Sequence, residues 1–333
     1  MDFYTEQGYL NINEIAGAGA WLNVIIGARQ VGKTYGALKY HLDNNIPHIL
    51  LRRTSAELEL IGSSPELNPY KVFAPEYDIS IERKGKYYLI KDNAAEQVRG
   101  LALSLSQIAH IRGFNGSSYQ SIIFDEFIPE KSVVRRGNEG DALLNAYTTI
   151  NGNRELNGAP PCKLWLLANS NDVNSPILEA LNLTDIVLNM RRKHIEIYIN
   201  NGVCVVQPLS TVITEQRAET ALMKQIRRDG EFYGMAINND FSYDESPLIK
   251  NFPLKGMTPL FSYDNTLYAW EDADLVYICR ASHNRRPYKY GEYGRRQLYK
   301  DYAWLVRAYA EELIYFSDMR LLALFKSIFD IEF

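Results

Sequence analysis

Residues 27–34 read Gly27-Ala28-Arg29-Gln30-Val31-Gly32-Lys33-Thr34 and satisfy every position of the spacing G-x-x-x-x-G-K-[ST]. Such a loop works in one local context, a buried strand that enters it and a helix that leaves it. The flanking sequence supplies both. Trp21-Leu22-Asn23-Val24-Ile25-Ile26 predicts the strand, and Lys33 to Leu42, with apolar Tyr35, Leu38 and Leu42, predicts the helix.

The residue types suit a triphosphate. Gly27 and Gly32 let the backbone turn tightly and keep side chains out of the way. The backbone N–H groups of Ala28, Arg29, Gln30 and Val31, with the helix N-terminus near Lys33, supply donors and a positive dipole end. Lys33 adds a mobile cation for the outer phosphates, and Thr34 a hydroxyl for Mg²⁺. ATP and Mg²⁺ are therefore the expected cofactors.

A second apolar strand, Ser121-Ile122-Ile123-Phe124, ends in Asp125-Glu126. Asp125 is expected to hold the Mg²⁺ hydration shell, and Glu126 to orient and deprotonate the attacking water. A glutamate directly after the aspartate favours an NTPase that activates water over a kinase. Lys163-Leu164-Trp165-Leu166-Leu167-Ala168-Asn169 is a third buried strand, and Asn169 at its tip is a candidate γ-phosphate sensor. His48 to Arg53 predicts a further strand, whose two arginines either point into the cleft or solvate the strand end.

The chain has 333 residues, too many for one ordinary core at about 100–200 residues per domain. The fold class expected is α/β: a P-loop ATPase domain over 1–205 with a mostly parallel sheet, a helical linker over 206–247, and a smaller α+β domain over 248–333. Within the first domain, Ile79-Ser80-Ile81 and Tyr87-Tyr88-Leu89-Ile90 predict a hairpin around Arg83-Lys84-Gly85-Lys86, and Val98 to Leu105 a strand. Asn138 to Ile150 predicts a helix, Ile177 to Leu183 another, and Ile186-Val187-Leu188 and Ile195 to Tyr198 strands. Glu215 to Arg228 reads as one amphipathic helix. Strands are expected at Thr258 to Phe261, Leu267 to Trp270 and Leu275 to Cys279, then a long helix Gln297 to Phe316 and an apolar segment Leu321 to Phe329.

No apolar run approaches the roughly 18–20 residues that span a bilayer, so no membrane partner is expected. The acidic N-terminus lacks a signal-peptide pattern, which points to the cytoplasm. Three well-separated cysteines, Cys162, Cys204 and Cys279, argue against disulfides and zinc, and the five histidines form no metal-spaced pair. Net charge is −4, yet Arg280 to Lys300 holds seven basic residues against one acid. There, Arg285, Arg286, Lys289, Arg295 and Arg296 interleave with tyrosines, a pattern suited to phosphate backbones and base stacking. A solvated loop, or a contact to a neighbouring acidic subunit, is the other reading.

The motifs together resemble the DNA-packaging ATPases of phi29-type podophages. The resemblance rests on Val24 to Arg29 with Gly32-Lys33-Thr34, Leu51-Arg52-Arg53 with Glu57-Leu58, Ile122 to Ile128, Asn138-Glu139 with Ala142 to Asn145, Asn153-Arg154-Glu155, and Leu167-Ala168-Asn169. It is dense over residues 20 to 170. It implies a terminase-like motor that works as a homo-oligomeric ring, a pentamer in the simplest expectation, at the portal of a procapsid in the host cytoplasm. Double-stranded DNA, the portal and a packaging RNA are the partners it implies.

In such rings a neighbour supplies an arginine to the transition state, worth roughly 10³–10⁵ in rate. Arg154 and Arg112 match basic positions of the family's motifs, and either is a candidate; Arg29 would then act in cis or brace the loop. The resemblance further implies a C-terminal domain like an RNase H-type nuclease that has lost activity. Asp264, Asp272 and Asp274 are read as turn acids, and no cleavage is expected. The Lys84/Lys86 hairpin tip is a candidate pore element. The alternative functions are a helicase or recombination ATPase, and a nucleotide switch that does no work.

Overall fold

The computed structural model describes residues 3–108, 116–129, 139–170, 175–208, 212–228, 233–234, 246–280 and 288–331. The chain divides into two compact units, Met1–Tyr243 and Asp244–Phe333.

The first unit is built on a nine-stranded sheet. Its strands are β1 (Leu22–Gly27), β2 (His48–Arg52), β3 (Ile79–Lys84), β4 (Tyr87–Asp92), β5 (Gln97–Ser104), β6 (Ser121–Asp125), β7 (Lys163–Asn169), β8 (Ile197–Asn200) and β9 (Val203–Val206). They lie in the order β3-β4-β5-β2-β6-β7-β1-β9-β8. The run from β5 to β9 is parallel throughout, and the β3–β4 hairpin and β8 add antiparallel edges. Every residue of β1 and β6 is buried. That is why these strands read as continuous apolar runs rather than alternating ones: a parallel sheet is covered on both faces.

Register decides where the chemistry gathers. Gly27 lies opposite Asn169, Asp125 opposite Leu167, and Phe124 opposite Leu51. The tips of β1, β2, β6 and β7 therefore line one carboxyl edge, where ligands of open parallel sheets bind.

The helix after the loop, Lys33–Asp43, turns Ala37, Leu38, His41 and Leu42 inward. Its His41 and His48 of β2 are wholly buried and hydrogen-bonded. His41 Nε2 lies 2.8 Å from Ser121 Oγ, and His48 Nε2 lies 2.6 Å from Tyr70 Oη. Burial drives His41 down to about 3 and His48 to about 4, so both are neutral.

Three segments of the first unit differ from what the sequence predicts. Ile186-Val187-Leu188, predicted as a strand, lies inside the helix Thr184–Arg192; Thr184, Val187, Leu188 and Met190 face inward, and Arg191 and Arg192 complement its C-terminal dipole. The strand that flanks β1 is instead Val203-Cys204-Val205-Val206, too short to stand out in the sequence. The predicted helix Glu215 to Arg228 is two short ones, Val212–Ala218 and Ala221–Gln225, parted by the extended Thr220.

The second unit holds β10 (Thr258–Tyr263), β11 (Leu267–Asp272), β12 (Leu275–Cys279), β13 (Tyr288–Tyr290) and β14 (Ile314–Phe316), in the order β13-β10-β11-β12-β14. The long helix predicted over Gln297 to Phe316 is broken. It becomes helices Arg295–Asp301 and Trp304–Ala310, and its end is β14, parallel to β12. Glu312, at φ +58, turns the chain out of the helix, and Ile314 and Phe316 alternate inward as a strand requires. Asp264 and Asp274 lie in the hairpin turns that join β10 to β11 and β11 to β12, and Asp272 ends β11.

Candidate active site

The loop between β1 and its helix is held from within by its own lysine. Lys33 Nζ donates to the carbonyls of Gly27 at 2.9 Å and Ala28 at 2.6 Å, and to Asn169 Oδ1 at 3.1 Å. Burial pulls its pKa down to about 7; Asp125 and Glu126 oppose that shift, whereas Arg217 and Arg29 reinforce it. An ammonium this desolvated gains from any anion that enters the site. Gly32, the N-cap of the helix, has φ +90, and no side chain caps the helix. The helix N–H groups are left to face the cleft, and the left-handed backbone there requires glycine.

Across the edge, Thr34 Oγ1 donates to Asp125 Oδ1 at 2.9 Å. The other oxygen of Asp125 meets Arg52 Nη1 at 3.2 Å, and the same nitrogen reaches Glu126 Oε2 at 3.3 Å. Asp125 is buried, while the Glu126 side chain is 60% exposed and projects from a left-handed residue at φ +58. Backbone strain at the catalytic candidate turns its carboxylate into the cleft. A cavity of about 920 Å³ opens here, lined by Gly32, Lys33, Thr34, Asp125, Glu126 and Asn169. Thr5, Gln7 and Tyr9 of the N-terminal segment form part of its wall.

Arg52 therefore faces the cleft. Arg53, one residue on, turns away and is buried against Glu139 at 2.8 Å and Glu57 at 3.8 Å. Arg29, Gln30 and Val31 complete the loop between Ala28 and Gly32, with Gln30 at φ +60. A hydroxyl and a carboxylate 2.9 Å apart are an oxygen donor set suited to a hydrated Mg²⁺.

The pattern of the family described as Podovirus DNA encapsidation protein (Gp16) matches residues 4–325. This chain belongs to that family. The DNA packaging protein of Bacillus phage B103 is 31% identical over 240 residues, 69% of this chain and 67% of its own. That of Bacillus phage phi29 is 29% identical over 287 residues, 83% of this chain and 78% of its own. A solved structure of the bacteriophage Phi-29 viral genome packaging motor assembly shares the fold, with a TM-score of 0.60 at 20% identity over 96% of this chain and 99% of that one.

Arg154 lies apart from the cleft of its own chain. Arg154 Nη2 donates to the carbonyls of Ser117 at 2.7 Å and Gly116 at 3.4 Å, and to that of Tyr119, so within its own chain it braces the turn that leads into β6. Arg112 lies outside the described residues. In the second unit, Lys289 and Arg296 are exposed, and Arg285 and Arg286 lie outside the described residues. Arg295 is spent on the end of the last helix, Met319–Ile328, through the carbonyls of Ile328 at 3.2 Å and Ser327 and the carboxylate of Asp330. Tyr290 points inward, its hydroxyl 2.6 Å from Asp301. Among the described residues of the second unit, the aromatic rings open to solvent include Tyr293, 98% exposed, with Tyr299 and Trp304.

Arg217 and the N-terminal wall carry no motif; Arg217 reaches the site through a hydrogen bond to the carbonyl of Arg29, and the wall through packing.

Proposed function

We propose that this chain hydrolyses ATP to drive double-stranded DNA into a procapsid. Membership of the encapsidation family supports the biological role. The observation that carries the chemistry is the meeting of Thr34 and Asp125 at 2.9 Å, with Glu126 beside them and open to the cleft. Mg²⁺, held through Thr34 and Asp125, would neutralise phosphate charge. Lys33 would move from its own loop carbonyls to the outer phosphates, Asn169 would sense the γ-phosphate, and Glu126 would accept the proton of the attacking water.

A ring of copies at the portal, in the host cytoplasm, is the form in which this activity would do work. Arg154 or Arg112 of one subunit would complete the neighbour's site; Arg154 would first exchange its bonds to the 116–119 turn. Lys289 and Arg296 would grip DNA phosphates without reading sequence. The portal and a packaging RNA are the remaining proposed partners, and no cleavage of DNA is proposed.

Steady-state ATPase with and without long double-stranded DNA tests this, using wild type, Glu126→Gln, Arg154→Ala and Arg112→Ala. Mixing Glu126→Gln with the true finger variant restores activity, because an intact arginine then faces an intact glutamate. Absence of turnover in assembled rings with DNA would replace the motor by a switch.

A further inference from the structure

We propose that Arg217, on the short helix Val212–Ala218, is a positioning residue of the phosphate loop and ties this helix to nucleotide binding. The inference rests on the nucleotide-site reading above. Arg217 Nη1 donates to the carbonyl of Arg29, inside the loop and 188 residues away in sequence.

A loop that turns its N–H groups toward phosphates must turn carbonyls outward, and each outward carbonyl needs a donor. For Arg29 that donor is a guanidinium, which makes the stronger, charge-assisted bond. The chain just before the helix also touches the loop: a Cβ on Gly27 would lie 2.7 Å from Pro208 Cγ.

The N-terminal segment completes the arrangement. Leu10 N–H donates to the carbonyl of Val31 at 3.0 Å, holding the loop from its other side. A Cβ on Gly8 would lie 3.0 Å from Val212 Cβ and 3.1 Å from Ile213 N, so this segment packs directly on the helix. Its Thr5, Gln7 and Tyr9 line the cavity. The helix thus rests on two elements that nucleotide would contact, and Arg217 is its polar tie to one of them.

Linkage makes the effect reciprocal. If Arg217 favours the loop conformation that binds nucleotide, nucleotide must favour the seated helix by the same factor. For a charge-assisted hydrogen bond that factor is roughly tenfold.

The test uses the full chain as wild type, Arg217→Ala, Arg217→Lys and, as a control on the exposed side of the same helix, Gln216→Ala. Affinity for Mg-ATPγS, KM and kcat for ATP, and hydrogen exchange of amides 212–218 with and without Mg-ATPγS are measured. The expected result is a roughly tenfold rise in Kd and KM for Arg217→Ala with kcat within about twofold, an intermediate value for Arg217→Lys, and no change for Gln216→Ala. Nucleotide slows exchange across 212–218 in wild type and fails to do so in Arg217→Ala. If Arg217→Ala does not fold, Arg217→Lys and the wild-type exchange decide. Wild-type exchange indifferent to nucleotide, or a KM unchanged in both Arg217 variants, overturns the proposal while leaving the ATPase reading intact; a wild type that binds no nucleotide overturns both.

Discussion

Thr34 Oγ1 and Asp125 Oδ1 stand 2.9 Å apart although 91 residues separate them in sequence. One belongs to the helix that leaves the phosphate loop and the other to the end of β6, and the two strands concerned are not neighbours, since β7 lies between them. The bond thus brings the hydroxyl and the carboxylate that a hydrated cation needs to one point of the sheet edge. Thr34→Ala and Asp125→Asn should each weaken Mg²⁺-dependent ATP binding and lower kcat/KM by about 10²-fold or more, as loss of electrostatic stabilisation at a reacting centre does. Isothermal titration with ATP in the presence and absence of Mg²⁺ checks this: the variants should lose most of the difference between the two conditions.

Glu126→Gln keeps the shape of the side chain and removes its basicity. The expected outcome is a fall in kcat of about 10²–10⁴-fold with KM little changed. Arg52 retains its 3.2 Å partner Asp125 in this variant, so the melting temperature should hold. A parallel loss of ATP affinity would move Glu126 from the water to the phosphates.

Acid should unfold the first unit through His41 and His48. Both have folded pKa values, about 3 and about 4, below the ordinary 6.5, so above 6.5 they contribute no pH dependence. As pH falls below 6.5 the unfolded chain gains protons that the folded one refuses. Stability then drops by about 1.4 kcal/mol per pH unit for each histidine until the folded values are reached. Urea denaturation between pH 7 and 4 measures the slope, and His41→Asn should reduce it by about one histidine's share.

In the second unit, Arg295 is engaged with the end of the last helix, whereas its exposed neighbour Arg296 is a proposed contact to DNA. Lys289→Ala and Arg296→Ala should weaken binding to any DNA sequence alike and lower the salt dependence by about one unit for each phosphate no longer neutralised. Arg295→Ala should lower the melting temperature and leave the salt slope unchanged, because its guanidinium is engaged with Ser327, Ile328 and Asp330. Fluorescence anisotropy across a salt series separates the two.

The sequence by itself determined the phosphate loop, the strand before it, the helix after it and the carboxylate pair. Each is a contiguous run whose chemistry is local: Gly27 to Thr34 in one turn, Ser121 to Glu126 in one strand. It also carried the mostly parallel sheet, because fully buried strands such as β1 and β6 leave unbroken apolar runs. Two short elements were not legible in it. Ile186 to Leu188 has strand-forming residues but a helical inward face, and Val203 to Val206 is only four residues long, so its place beside β1 follows from pairing rather than from propensity. Only the tertiary structure decided which arginine enters the cleft. Arg52 and Arg53 are chemically alike, and the outcome turns on Glu139 and Glu57 claiming one of them while Asp125 claims the other. Arg217 is the extreme case: its partner is a backbone carbonyl, which no side-chain pattern advertises, and 188 residues of folded chain must be in place before the two atoms meet.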